Sequence, residues 1–155
     1  MEQMFTSVDL HYYDGLITDR WYRKNRPHCT KEQIVAAKKN QKNFFDKLKK
    51  FGYRVVTKPI ASVFEVENRD YKYKCNFDVE IAVDVMDKLA DFDVLVLGSG
   101  DGDFVALVKR LKTKLKETYA IAVEGRLSSA LKEAVTYYDY LNNLLFYVKD
   151  LRQKK

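Results

Sequence analysis

Apolar residues recur along the chain in two alternating rhythms, every second residue over short runs and every third or fourth over longer ones. Val8 to Asp14 sets Val8, Leu10 and Tyr12 on one face, the pattern of a short strand ended by Gly15. Leu16 to Cys29 has no clean period and contains Pro27, so it reads as a loop. Thr30 then offers a helix N-cap, with Gln33 at the capping-box position. Ile34, Ala37, Gln41, Phe44, Phe45 and Leu48 carry helical spacing to Lys50, with Gly52 as the stop. Tyr53 to Thr57 predicts a strand closed by Pro59, and Ser62–Val66 with Tyr71–Cys75 predict a hairpin around Glu67, Asn68, Arg69 and Asp70. Phe77 to Ala90 predicts a helix, with Phe77, Ile81, Val85 and Leu89 on one stripe. The uninterrupted run Val94–Leu97 predicts a buried strand, followed by a helix from Phe104 to Lys116. Tyr119 to Val123 reads as another buried strand, and Ser128 or Ser129 opens a helix carrying Leu131 and Val135. Tyr137 to Tyr140 predicts a last short strand, and Leu144 to Leu151 a terminal helix.

Strands alternating with helices predict an α/β fold with a mostly parallel sheet. No linker interrupts the 155 residues, so one three-layer domain is expected over 1–155. Its parts are a basic loop and helix at 16–50, the hairpin at 60–75, an acidic rim at 78–103 and the terminal helix at 142–153.

A chain of this length buries about two-thirds of its unfolded surface and needs no disulfide or zinc staple. Cys29 and Cys75 have no paired spacing, which suits a reduced, cytoplasmic setting. Met1 to Ser7 does not read as a signal peptide, and no apolar run approaches the roughly 20 residues of a membrane span. The net charge of +6 is unevenly spread. Arg20 to Lys50 holds 11 Lys and Arg against Glu32 and Asp46, a local +9 that leaves −3 for the rest. Such a segment suits a polyanion, and it also suits a plain solvated helix.

Candidate chemistry centres on Gly98-Ser99-Gly100-Asp101-Gly102-Asp103, between the Val94 strand and the next helix. Ligands in open α/β sheets gather outside the carboxyl ends of strands. One aspartate there can cap the helix. Two, separated only by glycine, exceed what a cap requires, and a hard divalent cation would offset their repulsion. Asp78 opens a helix that can meet the same rim. Asp84 lies six residues on, about 600° around the helix, and so off the Asp78 face. It either reaches the rim or pairs with a lysine. His11 and His28 have no ligand spacing, and neither a nucleophile elbow, a P-loop nor a dinucleotide fingerprint is present.

These segments together resemble the NYN domain of the PIN-like nuclease superfamily, in its LabA-like branch. The resemblance rests on Tyr12-Tyr13-Asp14-Gly15, Phe51-Gly52-Tyr53-Arg54-Val55, the run from Lys74 to Asp84, Ser99 to Phe104, and Ser128-Ser129-Ala130-Leu131. It implies a three-layer, Rossmann-like fold whose acids hold Mg²⁺ or Mn²⁺, with RNA as substrate. Asp78, Asp101 and Asp103 match catalytic and metal-holding acids of that rim. Asp84 matches a further recurrent acid, and Ser99 a position near the phosphate path. Such families normally begin with a strand ending in Asp-Gly-x-Asn and then a helix. This chain starts almost at the second strand, so an N-terminally truncated fold is expected. The alternative, a degenerate first strand at Phe5–Asp9, supplies no Gly and Asn after Asp9. Loss of a central strand leads to the expectation of a strand-exchanged homodimer.

The implied function is a metal-dependent ribonuclease, hydrolysing phosphodiesters with a metal-activated water. Arg20, Arg23, Lys24, Arg26, Lys38, Lys39 and Lys42 are expected to follow the phosphates. Trp21 and Tyr22 either stack on bases or pack on the sheet. Two other readings stay open: a catalytically impaired RNA-binding or regulatory module, and an interaction subunit in which the aspartates only cap a helix.

Overall fold

The structure, a computed structural model, describes residues 7–65 and 70–144, with residues 62–74 described by backbone alone. The chain divides into two compact units, 1–77 and 78–155. The expected α/β class is present in both, with parallel pairing in each.

The first unit opens with strand β1 (Leu10–Leu16), then helices α1 (Asp19–Asn25) and α2 (Lys31–Lys50) and strand β2 (Tyr53–Pro59). β1 and β2 pair in parallel from Leu10↔Tyr53 to Leu16↔Pro59. Gly15 does not end β1 but lies inside it, because a Cβ there would stand 2.8 Å from Ile60 Cγ1 and 2.9 Å from Cys75 Sγ. Of the alternative first strand, residues 5 and 6 lie outside the described residues, and 7–9 are not in a strand.

The expected loop at 16–29 is corrected by α1. Thr18 caps it, its Oγ1 accepting from the Trp21 N–H at 3.2 Å, and Asp19 answers the dipole. α2 carries the expected capping box, with Gln33 Oε1 accepting from the Thr30 N–H at 2.9 Å. Its apolar stripe meets β1 through Tyr12, whose ring lies 5.6 Å from Phe44 and 6.3 Å from Phe45. Gln41 ties the same helix to the end of β1, its Nε2 donating to the Gly15 carbonyl at 3.0 Å. A hairpin follows, β3 (Ala61–Glu65) antiparallel to β4 (Asp70–Lys74). Its loop at 66–69 lies outside the described residues.

The second unit contains α3 (Asp78–Asp87), β5 (Val94–Leu97), a 3₁₀ turn (Gly102–Phe104), α4 (Val105–Lys112), β6 (Glu117–Ala122), α5 (Ser129–Ala134) and β7 (Tyr137–Tyr140). The strands form one parallel sheet in the order β5-β6-β7. Leu97, Phe104, Leu107, Val108, Leu111, Ala120 and Leu131 form its buried core, with Ile81, Val85 and Leu89 packed against it. Three of the four stripe residues thus perform their expected role; the helix runs Asp78–Asp87 rather than Phe77–Ala90, and Phe77 instead packs its ring 5.7 Å from Tyr13.

Two further expectations are revised. β5 is not buried on both faces, since Val96 is 57% exposed while Leu97 joins the core. α4 stops at Lys112 rather than Lys116. Leu115 takes a left-handed φ of 59°, and the Lys116 N–H returns to the Leu111 carbonyl at 3.1 Å. This is the closure that glycine usually provides, here made by a leucine. The terminal helix expected at 142–153 lies, beyond Leu144, outside the described residues.

Candidate metal centre

β5 delivers its carboxyl end into the turn Gly98–Asp103, and side-chain hydrogen bonds shape that turn. Ser99 Oγ accepts from the Asp101 N–H at 3.2 Å. Asp101 Oδ1 in turn accepts from the Asp103 N–H at 3.0 Å, making Asp101 the N-cap of the 3₁₀ turn. Phe104, 4% exposed, anchors the far end in the core. The turn is also tied to the β6–α5 loop, where the Ser128 N–H donates to the Gly100 carbonyl at 2.9 Å. Ser128 Oγ caps α5 by accepting from the Leu131 N–H at 3.2 Å.

Gly100 is required by this approach. A Cβ at that position would stand 2.0 Å from the Arg126 carbonyl oxygen and 2.9 Å from Leu127 Cα. The sequence did not reveal this clamp, because its two sides lie on segments joined only through α4 and β6.

Asp78 is the first residue of α3, at the positive end of that helix. The fold brings it to the turn. One carboxylate oxygen from each of Asp78, Asp101 and Asp103 lies within 4.8 Å of the others. Asp101 and Asp103 are exposed and Asp78 is half-buried. Two unit charges 4.8 Å apart repel by about 0.9 kcal/mol at the dielectric of water, so a divalent cation converts the cluster's mutual repulsion into attraction. Hard oxygen donors, with open access for water to complete a coordination shell, fit a hard divalent cation.

The other candidate residues are placed differently. Asp84 lies half-buried on α3 and is not a member of the three-carboxylate group. Ser99 acts as the acceptor that shapes the turn. Arg20, Arg23 and Lys24 are exposed on α1, Arg26 is its C-cap, and Lys39 and Lys42 are exposed on α2. Lys38 forms an ion pair with Asp19, joining α2 to α1. The Lys38 ammonium, through its hydrogen bond and its charge, holds the Asp19 carboxyl below the usual aspartate value. Tyr22 is buried, with the Trp21 ring edge-on to it at 5.2 Å, so packing rather than base stacking is its role.

The profile of the NYN domain family matches residues 10–142. The chain belongs to the NYN family. It is 30% identical over 111 residues to the Low amplitude and bright protein LabA of Synechococcus elongatus, across 71% of this chain and 60% of LabA. The chain thus spans about 60% of the length of that relative. A crystal structure of a protein of unknown function from Vibrio parahaemolyticus superposes with a TM-score of 0.61 at 26% identity, covering 86% of this chain and 68% of the other. NYN membership places the chain in a nuclease-like superfamily, and the acidic triad lies inside the matched region.

Proposed function

We propose that this NYN domain is a Mg²⁺- or Mn²⁺-dependent ribonuclease. The observation that carries the reading is the convergence of Asp78, Asp101 and Asp103 from two separate segments onto one point. Those three carboxylates hold the ion. When bound, the ion supplies an activated water and offsets charge on the phosphoryl oxygens. Asp101 also keeps the turn closed through its cap, and Ser99 keeps Asp101 in place. Asp84 is assigned a lesser, outer part in metal binding. Exposed Arg20, Arg23, Lys24, Arg26, Lys39 and Lys42, together with Lys38, are the candidate phosphate contacts.

The family match crosses both compact units, which supports a single domain over the whole chain. Cys29 and Cys75 are not joined in a disulfide, and a reduced, cytoplasmic setting is part of the proposal. Among the described residues, no helix is long and apolar enough to cross a membrane. A strand-exchanged homodimer is also proposed; sedimentation as a monomer at high concentration would refute it.

The test is cleavage of a labelled single-stranded RNA with Mn²⁺, expected to vanish with EDTA and in Asp101→Asn. Cleavage that survives both would overturn the reading. Salt-sensitive RNA binding without turnover, unchanged in Asp101→Asn, would assign the domain as a binding module instead.

A further inference from the structure

A groove of about 530 Å³ opens from the acidic triad and runs between α3 and α4. Asp78 and Asp103 line its near end, and Arg110 and Asp87 stand further along the two helices. Its walls are otherwise apolar, including Val79 and Val83 of α3 and Ala106 and Leu107 of α4. Val79 is 74% exposed and Val83 51% exposed, so aliphatic surface faces water directly beside a charged site. The groove is open to solvent and sets apolar walls beside a few charged groups.

The order of chemistry along the groove selects the occupant. Asp78 and Asp103, holding an ion, would place one phosphate at the near end. The apolar walls take a flat, weakly hydrated body. Arg110 takes a second anion by charge-assisted hydrogen bonds. Asp103 in the 3₁₀ turn and Arg110 on α4 are seven residues apart, on the order of 10 Å along the turn and helix. One nucleoside with a phosphate on either side, met by the reach of the arginine, bridges that length. Asp87 supplies an acceptor for a ribose hydroxyl or a base amino group.

We infer that the α3–α4 groove is a nucleotide subsite, seating one base of a single-stranded RNA on Val79 and Val83 and its distal phosphate on Arg110. This inference rests on the metal reading of the triad and adds to it where the neighbouring nucleotide lies.

Uridine 3′,5′-bisphosphate is the probe, because it carries both phosphates and no phosphodiester to cleave. Calorimetry in saturating Mn²⁺ is expected to show it binding about tenfold or more tightly than inorganic phosphate. Val83→Glu is expected to cancel that advantage by placing an unpaired charge on the apolar wall. Arg110→Ala is expected to weaken the bisphosphate about tenfold, the loss of one charge-assisted contact, with inorganic phosphate unaffected. Both variants keep wild-type Mn²⁺ affinity. Val83 and Arg110 are exposed, so neither change empties the core.

Bisphosphate binding no tighter than phosphate, or indifferent to both variants while Mn²⁺ still binds, overturns the subsite. A concentration-dependent dimer that Val83→Glu dissolves also overturns it, by assigning the groove to a second copy of the chain. Failure of Mn²⁺ to bind, with nucleotide binding in EDTA still sensitive to Val83→Glu, overturns the metal reading alone and leaves the groove standing.

Discussion

Replacing Gly100 by alanine separates a structural requirement from a composition preference, because the turn holds a second glycine for comparison. A Cβ on Gly100 would lie 2.0 Å from the Arg126 carbonyl oxygen and 2.7 Å from its carbon. Real Cβ contacts essentially never fall under 3.0 Å, so the two backbones must part by about 1 Å. That movement breaks the 2.9 Å bond from the Ser128 N–H to the Gly100 carbonyl, a loss of about 0.5–1.5 kcal/mol. Overpacking of backbone against backbone adds about 1–3 kcal/mol. The expected total is about 2–4 kcal/mol, which lowers Tm by about 5–15 °C for a chain of this size. A Cβ on Gly98 meets nothing within 4 Å and its φ is not left-handed, so Gly98→Ala is expected to be neutral or slightly stabilising. The displaced segment carries Asp101 and Asp103, so Gly100→Ala also weakens Mn²⁺ binding while Gly98→Ala does not. Urea denaturation followed by Mn²⁺ calorimetry on the two variants reads both effects. Equal stability of the two would refute the steric argument, and an unchanged Mn²⁺ affinity in Gly100→Ala would refute the link from clamp to metal.

Three further outcomes are expected. Asp101→Asn keeps an oxygen for the Asp103 N–H and so keeps stability within about 0.5 kcal/mol, whereas Asp101→Ala loses about 1 kcal/mol; calorimetry should show Mn²⁺ binding lost in both. Leu115→Gly should raise stability by about 1 kcal/mol in urea denaturation, since a 94% exposed leucine at φ 59° has left-handed strain and little packing to lose. The depressed Asp19 carboxyl contributes stability above its unfolded pKa and loses it as pH falls through the folded value. Carbon-detected NMR should show Asp19 titrating below the ordinary aspartate value in the wild type and shifting upward in Lys38→Met.

What was legible in the sequence follows from how local each signal is. The capping box of Thr30 and Gln33 lies within four residues, and α2 begins where it says. α1 left no period because only Tyr22 of its seven residues is buried; its signals were Thr18 and Asp19, which a loop also tolerates. The end of α4 was invisible because a leucine performs the left-handed turn, and the end of β1 was misread because Gly15 serves a tight approach rather than a turn. Asp101 and Asp103 stood out through their glycines. Asp78 could be placed at a helix start, but only the folded chain brings its carboxylate to the others. The groove left no mark, since exposed valines on a helix look like core valines until the helix is seen packed.

Cap and metal ligand were competing readings of Asp101, and the geometry makes the two compatible. The cap uses Asp101 Oδ1, and the backbone it fixes is that of Asp103. The same bond therefore holds the second carboxylate of the cluster at its position. A carboxylate has about four lone-pair sites, so accepting one N–H does not exhaust it. In the proposed metal site the cap would then work as preorganisation. Ser99 holds Asp101, Asp101 holds Asp103, and the Gly100–Ser128 bond holds the turn to the β6–α5 loop. Like charges set near one another oppose the fold unless a cation arrives, and the turn's hydrogen bonds keep Asp101 and Asp103 in place meanwhile. A turn needed only to start a helix would require one such bond, not a chain of three.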